Sequence, residues 1–516
     1  METDQNQAAM KPTLATDQGE EQQDLDYISC LPDETLHGII SKLEIRDAAV
    51  TTAVSKRWAP LFPTLPSLKI VVDSFLDSSF NFDPFDDDDY DSYNDYYMKN
   101  KMKWVDSLIS VLDSRKTAVK KFDIAVPMRE LDADVFDPFF SIVCCSGVED
   151  LSIFNTGPHS CNQTPSPVFS CNTIVKLKIR SCRLVVPSKL TGLRSVKSLV
   201  LKNVTVADDD LQRLISWCKA MEKLSIIDCF MVKNIVICAP NLSELVISLG
   251  WPVGVVLKSV PRLVSMEISF DSISNTSMKC CYGCLEDKEK GSDIDEETDD
   301  EETDDEETDD EEIDGGFSVS NSEKTFEGTN EATNLMDILN GLRRLKDLHL
   351  TFSDDYRMIF SKDGMALPNC YLVELKKLCL CFPFDYNDFN ISISCLLNSS
   401  PHLMEIIICV DKYSDYSPIV LELNFWEKKL SAECVKHHLT TATFYLPEDC
   451  FGFPKFLLRN AGSLKNMNIF YYGKLKPIPN TTEQIKKELF AIQMASPDVE
   501  IMVKPIISSY KHIASF

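Results

Sequence analysis

One short pattern of apolar residues recurs along most of this chain and constrains its fold more than any other feature. An apolar residue is followed by a second one three positions later and by a third two positions after that. Because the side chains of a strand alternate between its two faces, the last two residues of the pattern would face one side of a short strand. The pattern occurs twelve times, at Val119/Phe122/Ile124, Val148/Leu151/Ile153, Ile174/Leu177/Ile179, Val196/Leu199/Leu201, Met221/Leu224/Ile226, Leu242/Leu245/Ile247, Leu263/Met266/Ile268, Leu345/Leu348/Leu350, Leu375/Leu378/Leu380, Leu403/Ile406/Ile408, Leu439/Ala442/Phe444 and Leu464/Met467/Ile469.

The spacing of these patterns indicates how the strands are arranged. The first seven follow one another at intervals of 29, 26, 22, 25, 21 and 21 residues, and such a period is typical of leucine-rich repeats. A single repeat cannot bury its own apolar face, so stacked repeats share one core. The predicted fold class is α/β: an irregular leucine-rich-repeat arc with parallel strands on the concave face and helices and loops on the convex face. A set of unrelated amphipathic strands is the alternative, and it would require twelve coincidences.

The segment 27–68 contains a second pattern, of helical type. Asp33 and Glu34 follow Pro32, and acidic residues favour a helix start because they bind free backbone N–H groups and complement the helix dipole. One helix is predicted to begin near Asp33, and Asp47 is predicted to cap a second. Both contain apolar residues at helical spacing: Leu36, Ile39, Ile40 and Leu43, then Ala49, Val50, Ala53 and Val54. A bundle of about 40 residues is seldom comfortably stable alone, so an apolar face for a partner is expected.

These residues, together with Leu31-Pro32-Asp33-Glu34 and Val54-Ser55-Lys56-Arg57-Trp58, resemble a plant-type F-box. The resemblance implies a three-helix domain at 25–68 that binds a Skp-type adaptor and, through it, the cullin of an SCF ubiquitin ligase. It also implies six adaptor-binding residues: Leu31, Pro32, Leu36, Ile39, Leu43 and Trp58. Glu44-Ile45-Arg46 departs from the usual pattern of the family. A purely structural helical hairpin is the alternative.

The C-terminal part resembles a second plant module. Cys434, His438-Leu439, Phe444, the segment 456–461 and Leu464-Lys465-Asn466-Met467 are similar to an FBD domain, in which helix-then-strand units continue the arc. Helices are predicted at 452–460 and 482–494, and strands at 464–470 and 499–503. The predicted organisation is a disordered tail at 1–24, the F-box at 25–68, repeats at 69–424 with a disordered acidic insert at about 271–334, the FBD-like segment at 425–503 and a C-terminal tail at 504–516.

The acidic insert accounts for most of the unusual charge of the chain. The net charge is −28, and residues 293–314 hold 17 acidic residues and no basic one. A chain of this charge repels phosphates, so no nucleic-acid partner is expected. The insert cannot bury apolar surface and is expected to be a solvated spacer. Thr298, Thr303 and Thr308 each precede three acids and are possible phosphorylation sites.

The absence of long apolar runs predicts that the chain is intracellular, which bears on the state of its 19 cysteines. No secretory signal and no membrane span is predicted, so the cysteines should be reduced in the cytoplasm and/or nucleus. Cys229, Cys238, Cys379 and Cys409 lie in or beside apolar runs and are expected to behave as small buried hydrophobic residues. Cys280, Cys281 and Cys284 include one C-x-x-C pair without a second pair or histidine couple nearby. No metal site and no cofactor is predicted.

The sequence also indicates what the chain does not do. It has seven histidines and lacks the glycine-rich phosphate loops and the nucleophile elbow of common enzymes. The predicted function is a non-catalytic, substrate-recognition subunit of an SCF-type ligase that binds an unknown target protein through the arc. A non-degradative scaffold or inhibitor is the alternative, and an enzyme that uses one of the many cysteines is a third hypothesis.

Overall fold

A computed structural model of the 516-residue chain provides the fold. It describes residues 27–28, 30–54, 56–71, 105–113, 115, 117–126, 133–156, 163–251, 253–270, 338–339, 341–352, 372–382, 389–410, 426–427, 430, 433–447, 450–472 and 481–506. Strands are numbered β1 to β18 and α-helices α1 to α9 in chain order.

The N-terminal segment begins with two short helices, α1 (Asp33–Ile40) and α2 (Ile45–Val50). The predicted start of α1 at Asp33 is confirmed. The prediction that Asp47 caps the second helix is wrong, because this helix begins at Ile45 and Asp47 lies within its first turn. The described residues 56–71 contain no third α-helix. They form turns and the 3-10 helix Phe62–Thr64, since prolines at 60, 63 and 66 remove the backbone N–H groups that an α-helix would need.

Fourteen strands form one sheet in which every neighbouring pair is parallel. The order follows the chain, apart from four short strands that lie outside this sheet. The fourteen strands are β1 (Ser67–Val71), β2 (Lys121–Val126), β3 (Asp150–Asn155), β4 (Lys176–Arg180), β6 (Ser198–Lys202), β8 (Lys223–Ile227), β10 (Glu244–Leu249), β12 (Ser265–Phe270), β13 (Asp347–Thr351), β14 (Lys377–Phe382), β15 (Glu405–Val410), β16 (Thr441–Pro447), β17 (Asn466–Tyr472) and β18 (Glu500–Pro505).

The core lies on one side of this sheet and is built by the recurring pattern. All twelve predicted occurrences supply a strand of the sheet, and each of their 36 residues is at most 2% exposed. A further occurrence, Leu65/Leu68/Ile70, is equally buried and supplies β1. Because the strands pair in register, the second residue of each pattern lies beside its counterpart, as Leu151 lies beside Leu177. The predicted leucine-rich-repeat sheet is therefore confirmed, and it begins one repeat earlier than predicted.

The returns between strands cover the buried face of the sheet with helices and with short strands. The α-helices after α2 are α3 (105–113), α4 (Ala133–Cys145), α5 (Asp208–Trp217), α6 (Phe389–Ser399), α7 (Glu433–His437), α8 (Gly452–Asn460) and α9 (Thr481–Phe490). Two returns instead form paired strands: β5 (Arg183–Leu184) with β7 (Thr205–Val206), and β9 (Asn234–Cys238) with β11 (Gly254–Ser259). None of the helices in the described part of the chain is both long and apolar enough to cross a bilayer.

The C-terminal end of the array agrees with the sequence in part. The last helix ends at Phe490 instead of the predicted residue 494, and the last strand runs to Pro505, so the predicted start of the tail at 504 is wrong. Helix α8 occupies the predicted residues 452–460, and β16, β17 and β18 continue the sheet of the earlier repeats. β12 and β13 pair directly, although residues 271–346 separate them in the sequence. The predicted disordered insert at 271–334 therefore joins two neighbouring strands without dividing the sheet. The insert itself, the tail 1–24, residues 507–516 of the predicted tail 504–516, and Thr298, Thr303 and Thr308 lie outside the described residues.

Candidate functional site

The inner faces of α1 and α2 are part of the core of the repeat array. Leu36, Ile40, Ile45 and Ala48 are buried in one hydrophobic cluster with Leu68 of β1. Of the six predicted adaptor-binding residues, Leu36 and Trp58 are buried in this cluster. Leu31 and Leu43 are partly buried against it, while Pro32 and Ile39 are exposed. The six residues thus divide into four that pack inward and two that are open to a partner.

The outer side of this segment carries apolar side chains that nothing in the described structure covers. Ile39 is 43% exposed, Val50 63% and Val54 64%. Ile39 lies in α1 and Val50 ends α2, whereas Val54 follows the 3-10 helix Thr51–Ala53. The exposure of Val50 and Val54 was not predicted from the sequence. The signal present in the sequence was the number of apolar residues, because eight predicted apolar positions are more than the inner sides of two short helices can bury.

Three side chains hold this face in place. Arg57 binds the Asp33 carboxylate at 2.5 Å and donates to the carbonyl oxygen of Leu31 at 3.2 Å. His37 Nε2 lies 3.0 Å from Thr64 Oγ1. Arg115 donates to the carbonyl oxygens of residues 62 and 65, and burial lowers its pKa from the ordinary value. The start of α1 is thereby tied to the turns that follow α2.

The second candidate surface is the face of the sheet opposite the core, which we call the open face. Its residues lie between the apolar positions of each strand, and they form rows because the strands are in register. Near the strand starts the charges alternate, with Lys223 2.7 Å from Glu244 and Lys377 3.3 Å from Glu405. These pairs are about half exposed, so each contributes at most about 1 kcal/mol.

One part of the open face is basic. Lys176, Lys178 and Arg180 of β4 and Lys202 of β6 are all exposed. Arg180 pairs in register with Lys202 on one side and with Phe154 of β3 on the other. Phe154 is itself partly exposed. This basic cluster with an aromatic neighbour is suited to an acidic segment of a partner that also carries an apolar side chain.

Another part of the open face brings together a histidine and cysteines. The ligand atoms of His349, Cys379 and Cys381 all lie within 4.8 Å of one another, and Cys381 Sγ is 3.5 Å from His349 Nε2. Cys409 lies beside Cys381 in register on β15. On the other side, Glu267 Oε1 lies 3.8 Å from His349 Nδ1. The sequence analysis predicted no metal site, whereas the structure assembles metal-ligating side chains here.

Hydrogen bonds within this group shift the pKa of its two β14 thiols in opposite directions. Hydrogen bonds with Cys381 and then Cys409 hold the pKa of the Cys379 thiol well below its ordinary value. The pKa of Cys381 is raised, chiefly by its hydrogen bond with Cys379. Burial alone would lower the pKa of His349, but the hydrogen bond with Cys379 raises it overall. The environment thus favours a Cys379 thiolate beside a basic imidazole.

The other cysteines divide between the core and the surface. Cys229 is buried as predicted, and burial raises its pKa to about 12. Cys238 is half-buried, and Cys379 and Cys409 are on the open face and are not members of the core cluster. The prediction that Cys379 is a buried hydrophobic residue is therefore wrong. Cys280, Cys281 and Cys284 lie outside the described residues.

The FBD-like segment shows no further chemistry among its described residues. His438 packs edge-on against His402 at a ring distance of 5.0 Å and lines an open depression beside Lys376 and Lys465. Cys434, Phe444 and Leu464 are buried. The matching residues of the resemblance therefore mainly build the core.

Two family models match this chain. The F-box domain matches residues 28–69, which contain α1, α2 and the start of β1. The model described as FBD-associated F-box protein At5g56370, LRR repeats, matches residues 136–281.

F-box/LRR-repeat and F-box/FBD/LRR-repeat proteins of Arabidopsis thaliana are similar to the chain. F-box/FBD/LRR-repeat protein At1g13570 is 26% identical over 47% of this chain and 54% of its own length. F-box/LRR-repeat protein At3g59210 is 32% identical over 39% of this chain and 40% of its own length. Putative F-box/FBD/LRR-repeat protein At4g00315 is 26% identical over 87% of this chain and 93% of its own length. The chain thus spans about half the length of the first two relatives and nearly all of the third.

A solved circular LRR protein overlaps 69% of this chain and 43% of its own, with a TM-score of 0.30 and 10% identity. That score is too low to support an argument about the fold. The two family models and the Arabidopsis relatives support an F-box protein with leucine-rich repeats that is similar to the F-box/FBD/LRR-repeat proteins of plants.

Proposed function

We propose that the chain binds a Skp-type adaptor through its F-box and so becomes the substrate-recognition subunit of an SCF-type cullin ubiquitin ligase. The observation that supports this most directly is the uncovered apolar surface formed by α1, the end of α2 and the turn that follows it. Ile39, Val50 and Val54 are 43% to 64% exposed, while Leu36 and Ile40 of α1 are fully buried. Burial of such a side chain in an interface contributes about 1.5–3 kcal/mol.

The division between the two faces decides which substitutions test the proposal. Leu36 and Trp58 hold the helices on the sheet, so their loss would unfold the site instead of probing it. Ile39 is exposed, and a charge there would be buried without a partner in the complex. Ile39→Asp should therefore abolish adaptor binding while the thermal midpoint stays within a few degrees of the wild type.

The binding experiment uses the purified full chain and an immobilised Skp-type adaptor. The variants are Ile39→Asp, the double variant Leu31→Ala with Pro32→Ala, and Val256→Asp as a matched control. Val256 is 48% exposed on β11, far along the chain from the F-box. The control should bind as the wild type does. Normal adaptor binding by both F-box variants would contradict the proposal.

We propose further that the open face binds the target, and that the target presents an acidic segment to the basic cluster of Lys176, Lys178, Arg180 and Lys202. The supporting observations are the exposure of these four side chains and the partly exposed Phe154 beside them. Full-length Ile39→Asp protein is a suitable bait, because it should hold targets without passing them to a ligase. Proteins captured by this bait should be lost when Lys178→Glu and Arg180→Glu are added. They should be retained with Lys258→Glu, a change on β11.

Turnover separates a ligase subunit from a non-degradative scaffold. If the chain delivers its target for ubiquitination, a captured target should accumulate in cells that express only Ile39→Asp, and proteasome inhibition should remove the difference from wild type. Equal target levels in both cell lines, with intact capture, would favour the scaffold.

A further inference from the structure

Four side chains with metal-binding chemistry share one small area of the open face. In each strand, one open-face position lies between the two buried apolar residues and a second one follows them. His349 and Cys379 occupy the first position of their strands. Cys381 and Cys409 occupy the second. Neighbouring strands lie about 4.8 Å apart, so side chains of β13, β14 and β15 can converge over β14. The three ligand atoms of His349, Cys379 and Cys381 have already converged to within 4.8 Å.

The distances agree with a tetrahedral zinc site. Bonds of about 2.0–2.1 Å to nitrogen and about 2.3 Å to sulfur place the two ligand atoms about 3.5 Å apart and two sulfurs about 3.8 Å apart. The observed separation of His349 Nε2 and Cys381 Sγ is 3.5 Å. Thiolate and imidazole ligands select zinc over magnesium or calcium, which prefer oxygen ligands.

A candidate fourth ligand and an outer contact lie beside these three residues. Cys409 pairs in register with Cys381, although its sulfur is outside the group of three ligand atoms that lie within 4.8 Å of one another. It is 8% exposed and does not belong to the core cluster. Glu267 lies beside Nδ1 of His349, which leaves Nε2 directed at the sulfurs. A carboxylate on the far nitrogen of a histidine ligand fixes the ring and increases its basicity.

The geometry points to a structural zinc ion held by His349, Cys379, Cys381 and Cys409, with Glu267 as a positioning residue for His349. Binding releases the thiol protons to solvent, because the metal binds the thiolates. The ion would link β13, β14 and β15, which are the first three strands after the long insert. It would also fix the open face beside the stacked rings of Tyr445 and Phe470, whose centroids are 5.0 Å apart.

The test is a metal titration of the reduced, chelator-treated full chain. Cobalt(II) serves as the probe, because its thiolate charge-transfer and d–d absorption reports tetrahedral sulfur ligation, and zinc(II) is then added in competition. The background for all proteins is Cys280→Ser, Cys281→Ser and Cys284→Ser, which removes the C-x-x-C pair of the sequence and its neighbouring cysteine. On this background we expect one cobalt ion per chain, displaced by one equivalent of zinc, and a higher thermal midpoint with zinc.

Single substitutions then identify the ligands. Cys379→Ser, Cys381→Ser, Cys409→Ser and His349→Gln should each abolish stoichiometric binding, whereas the exposed Cys145→Ser should have no effect. Glu267→Gln should weaken zinc binding about 10-fold to 100-fold with the tetrahedral spectrum retained. Absence of cobalt absorption in the background protein would overturn the proposal. So would a disulfide between any two of Cys379, Cys381 and Cys409 in freshly purified protein. Unchanged affinity in Cys409→Ser would remove that residue from the site.

Discussion

Leu68 of β1 lies in register beside Phe122 of β2, and both side chains are buried in the cluster that also contains Leu36 and Ile40 of α1. The F-box match ends at residue 69, within β1, and β1 is the first strand of the repeat sheet. The F-box helices have no separate core, so they are a cap on the end of the array. An adaptor bound to α1 and α2 would therefore be held in a fixed position relative to the nearby open face.

This shared core predicts that the F-box and the first repeats unfold together. Leu68→Ala removes a fully buried side chain and should cost about 2–5 kcal/mol. Hydrogen exchange should become faster in both α1 and β2, because both pack on the same cluster, and adaptor affinity should fall in parallel. The measurement is amide exchange by mass spectrometry on the full chain.

Lys69→Ala is the matched control on the same strand. Lys69 is exposed and lies 3.9 Å from Glu44, a pair too solvated to contribute more than about 1 kcal/mol. Its exchange pattern should equal that of the wild type. Faster exchange in β2 alone after Leu68→Ala, with α1 unaffected, would show that the F-box is independent of the array.

Two glycines should respond in opposite directions to the same substitution. A Cβ at Gly192 would lie 2.3 Å from the backbone carbon of Ser170 and 2.5 Å from the amide nitrogen of Cys171, so Gly192→Ala must displace backbone. It should also disturb the 2.7 Å hydrogen bond from Trp217 Nε1 to the Gly192 carbonyl. A Cβ at Gly38 in α1 meets nothing within 4 Å. Alanine there should stabilise the chain by about 0.5–1 kcal/mol.

Thermal unfolding distinguishes these outcomes. The midpoint should fall for Gly192→Ala and stay equal or rise for Gly38→Ala. A wild-type midpoint for Gly192→Ala would mean that the close approach of the two backbone segments is not a feature of the folded protein.

The repeat architecture was predictable from the sequence because it depends on spacing alone. The pattern that places Leu177 and Ile179 in the core also fixes which residues of β4 face outward. Lys176, Lys178, Ser198 and Ser225 accordingly share the open face. Ser243 lies before β10 and donates to the carbonyl oxygen of Glu222 at 3.0 Å.

The turn after each strand was harder to align. Ser181, Asn203 and Asp228 adopt the same left-handed conformation, with φ of 52°, 56° and 49°, so they are equivalent positions of three repeats. The equivalent of Cys182 and Cys229 is Val204, and all three are fully buried. The apolar pattern alone does not show whether Asn203 or Val204 is the equivalent of Cys182 and Cys229. Buried cysteine packs as a small apolar residue, so valine and cysteine can occupy the same position of the repeat.

The cysteine and histidine cluster could have been found by the same parity argument. His349 falls between Leu348 and Leu350, and Cys379 falls between Leu378 and Leu380, so both must face away from the core. What the sequence alone does not give is which strands are neighbours across residues 271–346. Glu267 lies beside His349 because β12 pairs directly with β13. That pairing is not apparent from the sequence, since residues 271–346 separate the two strands.

The FBD-like segment depends on an aromatic cluster, which gives a third prediction. Trp426 is fully buried, with its ring 4.4 Å from Phe453 and 6.4 Å from Phe456 of α8. Trp426→Ala should cost about 3–5 kcal/mol and accelerate amide exchange in 452–460. Trp426→Phe keeps a ring in this site and should cost clearly less. Equal costs for the two variants would mean that ring packing does not hold α8 on the sheet.

Because of its buried thiols, the folded chain is expected to lose stability at alkaline pH. Burial raises the pKa of Cys182 and of Cys229 to about 12, whereas an unfolded cysteine titrates near pH 8.5. The folded state therefore binds these protons more tightly, so the contribution is complete below about pH 8.5 and is lost as the pH rises toward 12. Each thiol should lower the free energy of unfolding by up to about 1.4 kcal/mol per pH unit in this window.

The measurement is the free energy of urea unfolding from about pH 8 to about pH 10, under reducing conditions. Cys182→Ala with Cys229→Ala should be less stable than the wild type at neutral pH, because the change leaves two small cavities. Its stability should nevertheless decline less steeply above pH 8.5. Cys145→Ala is the control, since this exposed thiol meets solvent in both states. A double variant that declines as steeply as the wild type would show that the two thiols are not desolvated in the folded chain.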